Sequence, residues 1–159
     1  MTIRKAIKSD AKAIISMINE LAEYEKLSSE VKIDESVFIS HIFEKKLANA
    51  LVAVSKSGET AGYAIFFHSF STFLGRAGIY LEDLYVKKEF RGQGIGIKFI
   101  KTLAEICEQE GFGRLEWECL DWNEPSIKFY ESLGAKRQSG WLKFRLNQDE
   151  ISSLAAERR

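Results

Sequence analysis

Arg91-Gly92-Gln93-Gly94-Ile95-Gly96 stands between an apolar, acid-tipped run, Ile79-Tyr80-Leu81-Glu82-Asp83-Leu84-Tyr85-Val86, and an amphipathic run that begins near Ile95. The first run has the composition of a strand. The second places Phe99, Ile100, Leu103, Ile106 and Cys107 at helical spacing. A glycine-rich turn from a strand into a helix makes an anion site. The first four N–H groups of a helix lack partners within it, and the aligned peptide dipoles put roughly +0.5 charge at that end. Glycines let such a backbone approach a phosphate with no Cβ in the way.

Spacing removes two familiar phosphate loops. The dinucleotide fingerprint GxGxxG fails, because its third glycine falls at Ile97 when read from Gly92 and at Phe99 when read from Gly94. The nucleotide-triphosphate loop would need its second glycine at Ile97. What remains is Arg-Gly-x-Gly-x-Gly at a strand-to-helix junction. Three glycines at alternate positions behind an arginine favour a pyrophosphate cradle over a merely flexible helix start.

The rest of the chain narrows the function classes. At 159 residues it predicts a single domain over 1–159, large enough to bury roughly two thirds of its unfolded surface. Lysine plus arginine and aspartate plus glutamate both number 23, and no basic stripe exists, so nucleic acid is not an expected partner. Charge is locally biased between Glu20 and Glu35, where six acids (Glu20, Glu23, Glu25, Glu30, Asp34, Glu35) face two lysines. Such a run is ordinarily a solvated helix face; lining a cleft, it attracts a cationic ligand. Cys107 and Cys119 read as small core residues without metal-ligand spacing, so no metal is expected. The start Met1-Thr2-Ile3-Arg4 shows no signal-peptide pattern, and no run approaches the ~18 apolar residues of a membrane span. A cytoplasmic location away from membranes follows as the expectation.

Outward from the loop, strands are predicted at residues 2–6, 51–54, 61–70, 78–86, 114–119 and 141–146. Helices are predicted after Ser9-Asp10, after Asp34 to about Lys46, from Ile95 to Gly111, from Asn123 to Leu133 and from Asn147. Ala11, Ile14, Ile15, Ile18, Leu21 and Ala22 mark the buried face of the first helix. Residues 71–76 read as a loop. The order implies an α/β (α+β) sandwich whose central sheet is mostly antiparallel and locally parallel around the loop helix.

With these elements in view, the chain resembles the GNAT superfamily of N-acetyltransferases over nearly its whole length. Leu21-Ala22-Glu23-Tyr24-Glu25-Lys26-Leu27-Ser28, Tyr80-Leu81-Glu82-Asp83, the Arg91–Gly96 loop, Leu120-Asp121-Trp122-Asn123 and Phe129-Tyr130 with Gly134-Ala135 are similar to the diamine (spermidine/spermine) and thialysine branch. Glu-Lys-Leu-Ser, Ser71-Thr72 and Leu-Asp-Trp-Asn look more like the thialysine enzymes. Ser71-Thr72-Phe73 stands where polyamine-acetylating members carry Asp-Pro-Trp, which removes an acid from the expected substrate pocket.

The resemblance implies a GNAT-like fold, a mixed central sheet with a splayed strand pair flanked by helices. It implies acetyl-CoA as co-substrate, a small-molecule amine as acceptor, and a homodimer whose C-terminal strands meet. Trp141, Phe144 and the terminal helix would serve that interface or close the core. In the family the amides of Gly92, Gln93, Gly94, Ile95, Gly96 and Ile97, behind Arg91, hold the pyrophosphate. The backbone of Leu84, Tyr85 and Val86 pairs with the pantetheine arm. Asn123 and Ser126 would meet the cofactor at the start of their helix, a role compatible with Asn123 capping it.

Tyr130 lies seven residues beyond Asn123, about two helical turns, so both can face one cleft. By resemblance it donates to the departing sulfur; its alternative is a core aromatic. Reference values of about 10 for tyrosine and 8.5 for a thiol make full proton transfer uphill by roughly 2 kcal/mol, so hydrogen-bond donation comes first. The nucleophile must be a neutral amine, and an ammonium of pKa ~10.4 is neutral in only about one part in several thousand at pH 7. Glu82 is the chosen base, directly or through a water. Alternation along a strand allows only one of Glu82 and Asp83 to face the cleft. Tyr24 and Glu25 resemble the amine-contacting pair, Glu25 otherwise reading as an exposed helix charge. A non-catalytic CoA-binding module is the rival from another class, since a fold does not fix a function.

Overall fold

A computed structural model describes residues 1–156. These fall into two compact units, one of Met1–Glu118 and one from Cys119 onward. The first unit holds five strands, β1 (Thr2–Lys5), β2 (Asn49–Val54), β3 (Thr60–Ser71), β4 (Arg76–Val86) and β5 (Leu115–Trp117). It also holds helices α1 (Ala11–Tyr24), α2 (Glu35–Ile39, continued by a π-helical turn over Ser40–Glu44) and α3 (Ile95–Gln109). The sheet runs β1-β2-β3-β4-β5, with antiparallel pairing up to β4 and parallel pairing between β4 and β5. A parallel neighbour needs a crossover, and α3 supplies it.

The register assigns the two faces of the sheet. Tyr63 pairs with Tyr85 and Ile65 with Asp83, and these positions look toward α1, whose fully buried Ile14 and Met17 join Tyr63, Ile65 and Tyr85 in one core cluster. Gly62 points to the other face. A Cβ there would lie 3.4 Å from the Phe99 ring of α3 and 2.5 Å from the Tyr85 carbonyl oxygen. Each large apolar side chain so buried stabilises the fold by about 1.5–3 kcal/mol. Met17 completes the α1 stripe, which the branched-residue pattern of the sequence had left out.

Both ends of α1 are tied. Asp10 does not cap the helix through its side chain. Its carboxylate instead takes a two-pronged bond from Arg4 (2.7 and 3.0 Å) and one from the Ile7 N–H (2.7 Å). Arg4 and these donors hold the Asp10 carboxyl below its ordinary range. At the other end Lys26, in the left-handed region at φ 60°, closes a Schellman motif: its N–H donates to Glu23 O and that of Leu27 to Ala22 O. This fixes the turn that carries Tyr24 and Glu25. Asp34 caps α2 as expected, accepting from the Val37 N–H at 3.0 Å.

Two strand expectations change. β5 pairs only through Leu115–Trp117, opposite Ile79–Leu81, rather than over 114–119. The ladder stops where β4 bulges: Phe66 pairs with Leu81 and Ile65 with Asp83, so Glu82 is an extra residue. A bulge sharpens the local twist and turns the strand away from its neighbour. Beyond it, among the described residues, β4 from Asp83 to Val86 pairs on the β3 side alone, which is the splay expected of the sheet. The second correction concerns residues 141–146, which form no strand among the described residues. A strand exists through the neighbour that takes its N–H and C=O groups. Here Trp141, Leu142 and Phe144 are more than four-fifths exposed and do not close the core.

The second unit contains α4 (Glu124–Ser132) and α5 (Gln148–Ala156). Asn123 caps α4 and Pro125 occupies its first turn, where a missing N–H costs little. No helix among the described residues is long and apolar enough to cross a membrane.

Candidate functional site

The glycine loop has the conformation its sequence requires. Gly92 and Gly94 sit at φ 75° and 74°, a region that costs any other L-residue roughly 1–2 kcal/mol. Residues 91–94 are exposed, while Ile95 is buried and anchors the start of α3 in the core. Gly94 is the N-cap and has no side chain to offer, and the first turn carries no acid. The opening amides of α3, at Ile95, Gly96 and Ile97, are therefore neither capped by a side chain nor faced with a negative charge from their own turn. Gln93 extends the loop on its exposed side. A Cβ at Gly92 would meet nothing within 4 Å, so backbone conformation rather than crowding selects glycine there.

β4 feeds this loop. Leu84, Tyr85 and Val86 are the last residues of the strand, joined to the loop by a 3-10 turn over Lys88–Phe90, and they carry the strand edge that β5 leaves uncovered. A single-sided strand edge followed by an uncapped helix start fits an extended amide-containing chain that ends in phosphates.

The bulge at Glu82 resets the side chains. Strict alternation fails across it, so the rule that only one of Glu82 and Asp83 can face a cleft does not apply to this strand. Asp83 shares the α1 face with Tyr85, and the fully buried Tyr63 hydroxyl donates to its carboxylate at 3.3 Å. Burial pushes the Asp83 carboxyl up to about 6. The nearby Glu82 charge adds to this, Tyr63 opposes it, and Glu25 raises it further. Burial likewise pushes the Tyr63 hydroxyl well above its ordinary value, with the Asp83 charge reinforcing the effect. Glu82 itself is exposed. Glu25, half-buried at the end of α1, is raised by burial.

Tyr24 and Tyr85 meet around Arg91. The guanidinium carbon lies 5.6 Å from the Tyr24 ring centre and 5.4 Å from that of Tyr85, and Nε donates to Val86 O at 2.9 Å. Arg91 thus turns its side chain toward α1, and its backbone is the part that continues into the phosphate loop. The Tyr85 hydroxyl donates to Glu20 at 2.9 Å. Burial raises that hydroxyl, Glu20 adding to the shift and Arg91 opposing it. Glu20, Glu23, Tyr24, Tyr85, Lys88 and Arg91 line a cleft of about 370 Å³. The acid run of the sequence does line a cleft at its N-terminal end. Lys88 and Tyr63 escaped the sequence reading: one is an unremarkable surface lysine, the other an aromatic in an alternating strand.

Tyr130, Asn123 and Ser126 belong to the second unit. The buried Asn123 accepts from the Ser126 N–H at 3.4 Å, so it caps α4 as expected. Tyr130 is half-buried near the end of α4, its ring 5.2 Å from that of Phe129.

Comparison with known proteins identifies the lineage. Residues 14–135 match the acetyltransferase (GNAT) family. The chain is 42% identical over 166 residues to the thialysine N-epsilon-acetyltransferase of Bos taurus, an alignment covering 98% of this chain and 97% of that one. It is 30% identical to spermidine/spermine N(1)-acetyltransferase-like protein 1 of Homo sapiens over 98% of this chain and 24% of that protein. Among solved structures, an integron cassette protein from V. cholerae superposes with a TM-score of 0.81, covering 98% of both chains at 24% identity, a likeness of fold. The chain belongs to the GNAT family of acetyltransferases and is an N-acetyltransferase.

Proposed function

We propose that this enzyme transfers the acetyl group of acetyl-CoA to a primary amine of a small molecule, a thialysine- or lysine-like amino acid, a diamine or a polyamine, by direct attack on the thioester. The observation that carries the reading is β4: its edge from Asp83 to Val86, which β5 leaves uncovered, leads through one short 3-10 turn over Lys88–Phe90 into a loop with two left-handed glycines and an uncapped helix start. In this reading the backbone of Leu84, Tyr85 and Val86 holds the pantetheine arm. The amides from Gly92 through Gln93, Gly94, Ile95, Gly96 and Ile97, with the Arg91 backbone before them, hold the pyrophosphate. Asn123 and Ser126 contribute from the start of α4. Acetyl-CoA supplies the activated acetyl group.

The protein's groups then manage protons. Glu82, directly or through a water, takes the proton that the amine must lose, while Tyr24, Glu25 and Asp83 hold the cation before it does. The C–N bond forms as the C–S bond breaks, and Tyr130 donates a hydrogen bond, then a proton, to the departing sulfur. The scheme uses no metal. The family match begins in the first compact unit and extends into the second as far as residue 135, which supports one acetyltransferase domain. We further assign a homodimer in which a second copy covers Trp141, Leu142 and Phe144, and a reducing cytoplasm, in keeping with the free thiols of Cys107 and Cys119.

Incubating the protein with acetyl-CoA and a panel of thialysine, lysine, putrescine and spermidine, and following thiol release, tests the proposal. Turnover of at least one amine is expected. CoA binding without turnover on any of them would leave a non-catalytic CoA-binding module. Tyr130→Phe is expected to lower kcat by about 100-fold while CoA affinity changes little; an unchanged kcat would remove Tyr130 from its role.

A further inference from the structure

Tyr63 carries a polar atom that the core does not explain. Its ring is fully buried on the α1 face of the sheet, packed with Ile14, Met17, Ile65 and Tyr85. A phenylalanine would fill that space as well, and a buried hydroxyl costs stability unless it finds a partner. The partner is the Asp83 carboxylate, through Oδ2 at 3.3 Å. The register makes the contact. Asp83 stands opposite Ile65, so Tyr63, two residues earlier on β3, is its diagonal neighbour on the same face. In an unbulged ladder the residue after Leu81 would oppose Ile65, and Glu82 would meet Tyr63 instead. Neighbouring Tyr85 does not share the duty, because its hydroxyl is turned to Glu20 at 2.9 Å.

Asp83 needs such a donor. Glu82 precedes it on β4, Glu25 faces it from the end of α1, and both charges disfavour its own. Among the described residues no lysine or arginine pairs with it, and Arg91 is held by Tyr24, Tyr85 and Val86 O. The Tyr63 hydroxyl is the group that opposes burial and these charges. Burial and the Asp83 charge also bind the hydroxyl's own proton more tightly than usual, so it donates a hydrogen bond and does not relay a proton. We propose that Tyr63 is a positioning residue for the acceptor amine: from inside the core its hydroxyl pins one oxygen of Asp83, keeps the carboxylate charged and leaves the other oxygen to the substrate cation. Tyr63 itself touches neither substrate nor cofactor; its role rests on the assignment of Asp83 to the amine in the proposed acetyl transfer.

The test compares the wild type with Tyr63→Phe, Asp83→Asn and the double variant, thialysine serving as the amine. Carboxyl-carbon NMR follows the titration of Asp83. Calorimetry gives thialysine affinity for the CoA-loaded protein across the same pH range, and kcat and KM are taken alongside. In the wild type Asp83 titrates at about pH 6, and thialysine binding should weaken as the pH falls through that point. Loss of the hydroxyl should raise the midpoint by about one unit. Thialysine then binds about tenfold more weakly than to the wild type at about pH 5 and nearly equally at about pH 8, with KM raised and kcat little changed. CoA affinity and far-ultraviolet dichroism should stay as in the wild type. In the Asp83→Asn background the same tyrosine change should leave thialysine affinity nearly untouched. An Asp83 midpoint that stays put or falls in Tyr63→Phe overturns the proposal, whichever amine is the substrate. So does an equal loss at every pH or in both backgrounds, the mark of packing alone. A shifted midpoint and binding limb without turnover of any amine would sustain Tyr63 while sinking the acetyl-transfer reading; turnover with an unmoved limb would do the reverse.

Discussion

Asp83 is the residue whose environment departs furthest from that of a surface carboxylate in the described first unit, and its protonation can be read in stability. In the folded chain it keeps its proton up to about pH 6, against an ordinary value of 3.8. Its contribution to stability is therefore fully present below pH 3.8 and is lost as pH rises through 6. The loss is on the order of 3 kcal/mol by pH 7. Asp83→Asn keeps an acceptor for the Tyr63 hydroxyl and abolishes the titration. The variant should gain on the wild type in urea midpoint between pH 4 and pH 7, and a pH-independent difference would show that Asp83 is not held this way. The sequence made Glu82 and Asp83 visible as an acidic pair but hid the pressure on Asp83. That pressure is chiefly burial on the α1 face, which residues far along the chain create; Glu82 adds to it and Glu25 adds further, while the Tyr63 hydroxyl opposes it.

Among the elements, β3 and β4 are brought together by the absence of a side chain. A methyl group at Gly62 would lie 2.5 Å from the Tyr85 carbonyl oxygen and 3.3 Å from the Val86 Cα. Backbone atoms cannot rotate away as a side-chain tip can, so Gly62→Ala must push the strands apart. A cost of about 3 kcal/mol follows, near the upper end for overpacking, and a drop in Tm of roughly 6–12 °C for a chain of this size. Because Tyr85 and Val86 lie on the proposed pantetheine edge, CoA affinity should fall with it; an unchanged Tm would mean the strands already had slack. The loop, α1, α3 and the antiparallel order of the sheet were legible because they rest on local periodicity and glycine chemistry. The bulge and the short reach of β5 were not, since both are properties of pairing, and pairing partners lie far along the chain. Residues 141–146 misled for the same reason: their alternation is strand-like, but no strand among the described residues takes up their backbone.

For the whole molecule, the exposed stretch with Trp141, Leu142 and Phe144 is the clearest departure from the surface of a monomer. Light scattering should give twice the chain mass, and Trp141→Ser with Phe144→Ser should give a monomer with unchanged far-ultraviolet dichroism. A monomeric wild type would refute the assigned dimer.

The bulge also bears on how such an enzyme can lose its activity. Deleting one residue from a strand ordinarily swaps every later side chain to the wrong face. At position 82 it does not, because Leu81 and Asp83 already oppose neighbouring residues of β3, Phe66 and Ile65. A chain lacking Glu82 should keep the β3–β4 register and a near-wild-type Tm, but without the bulge to turn β4 away from β5 it should bind CoA weakly and acetylate little. The sheet carries this glutamate as a surplus residue, so a single lost codon removes both the proposed base and the bend that opens the proposed cofactor edge, and the fold is left standing.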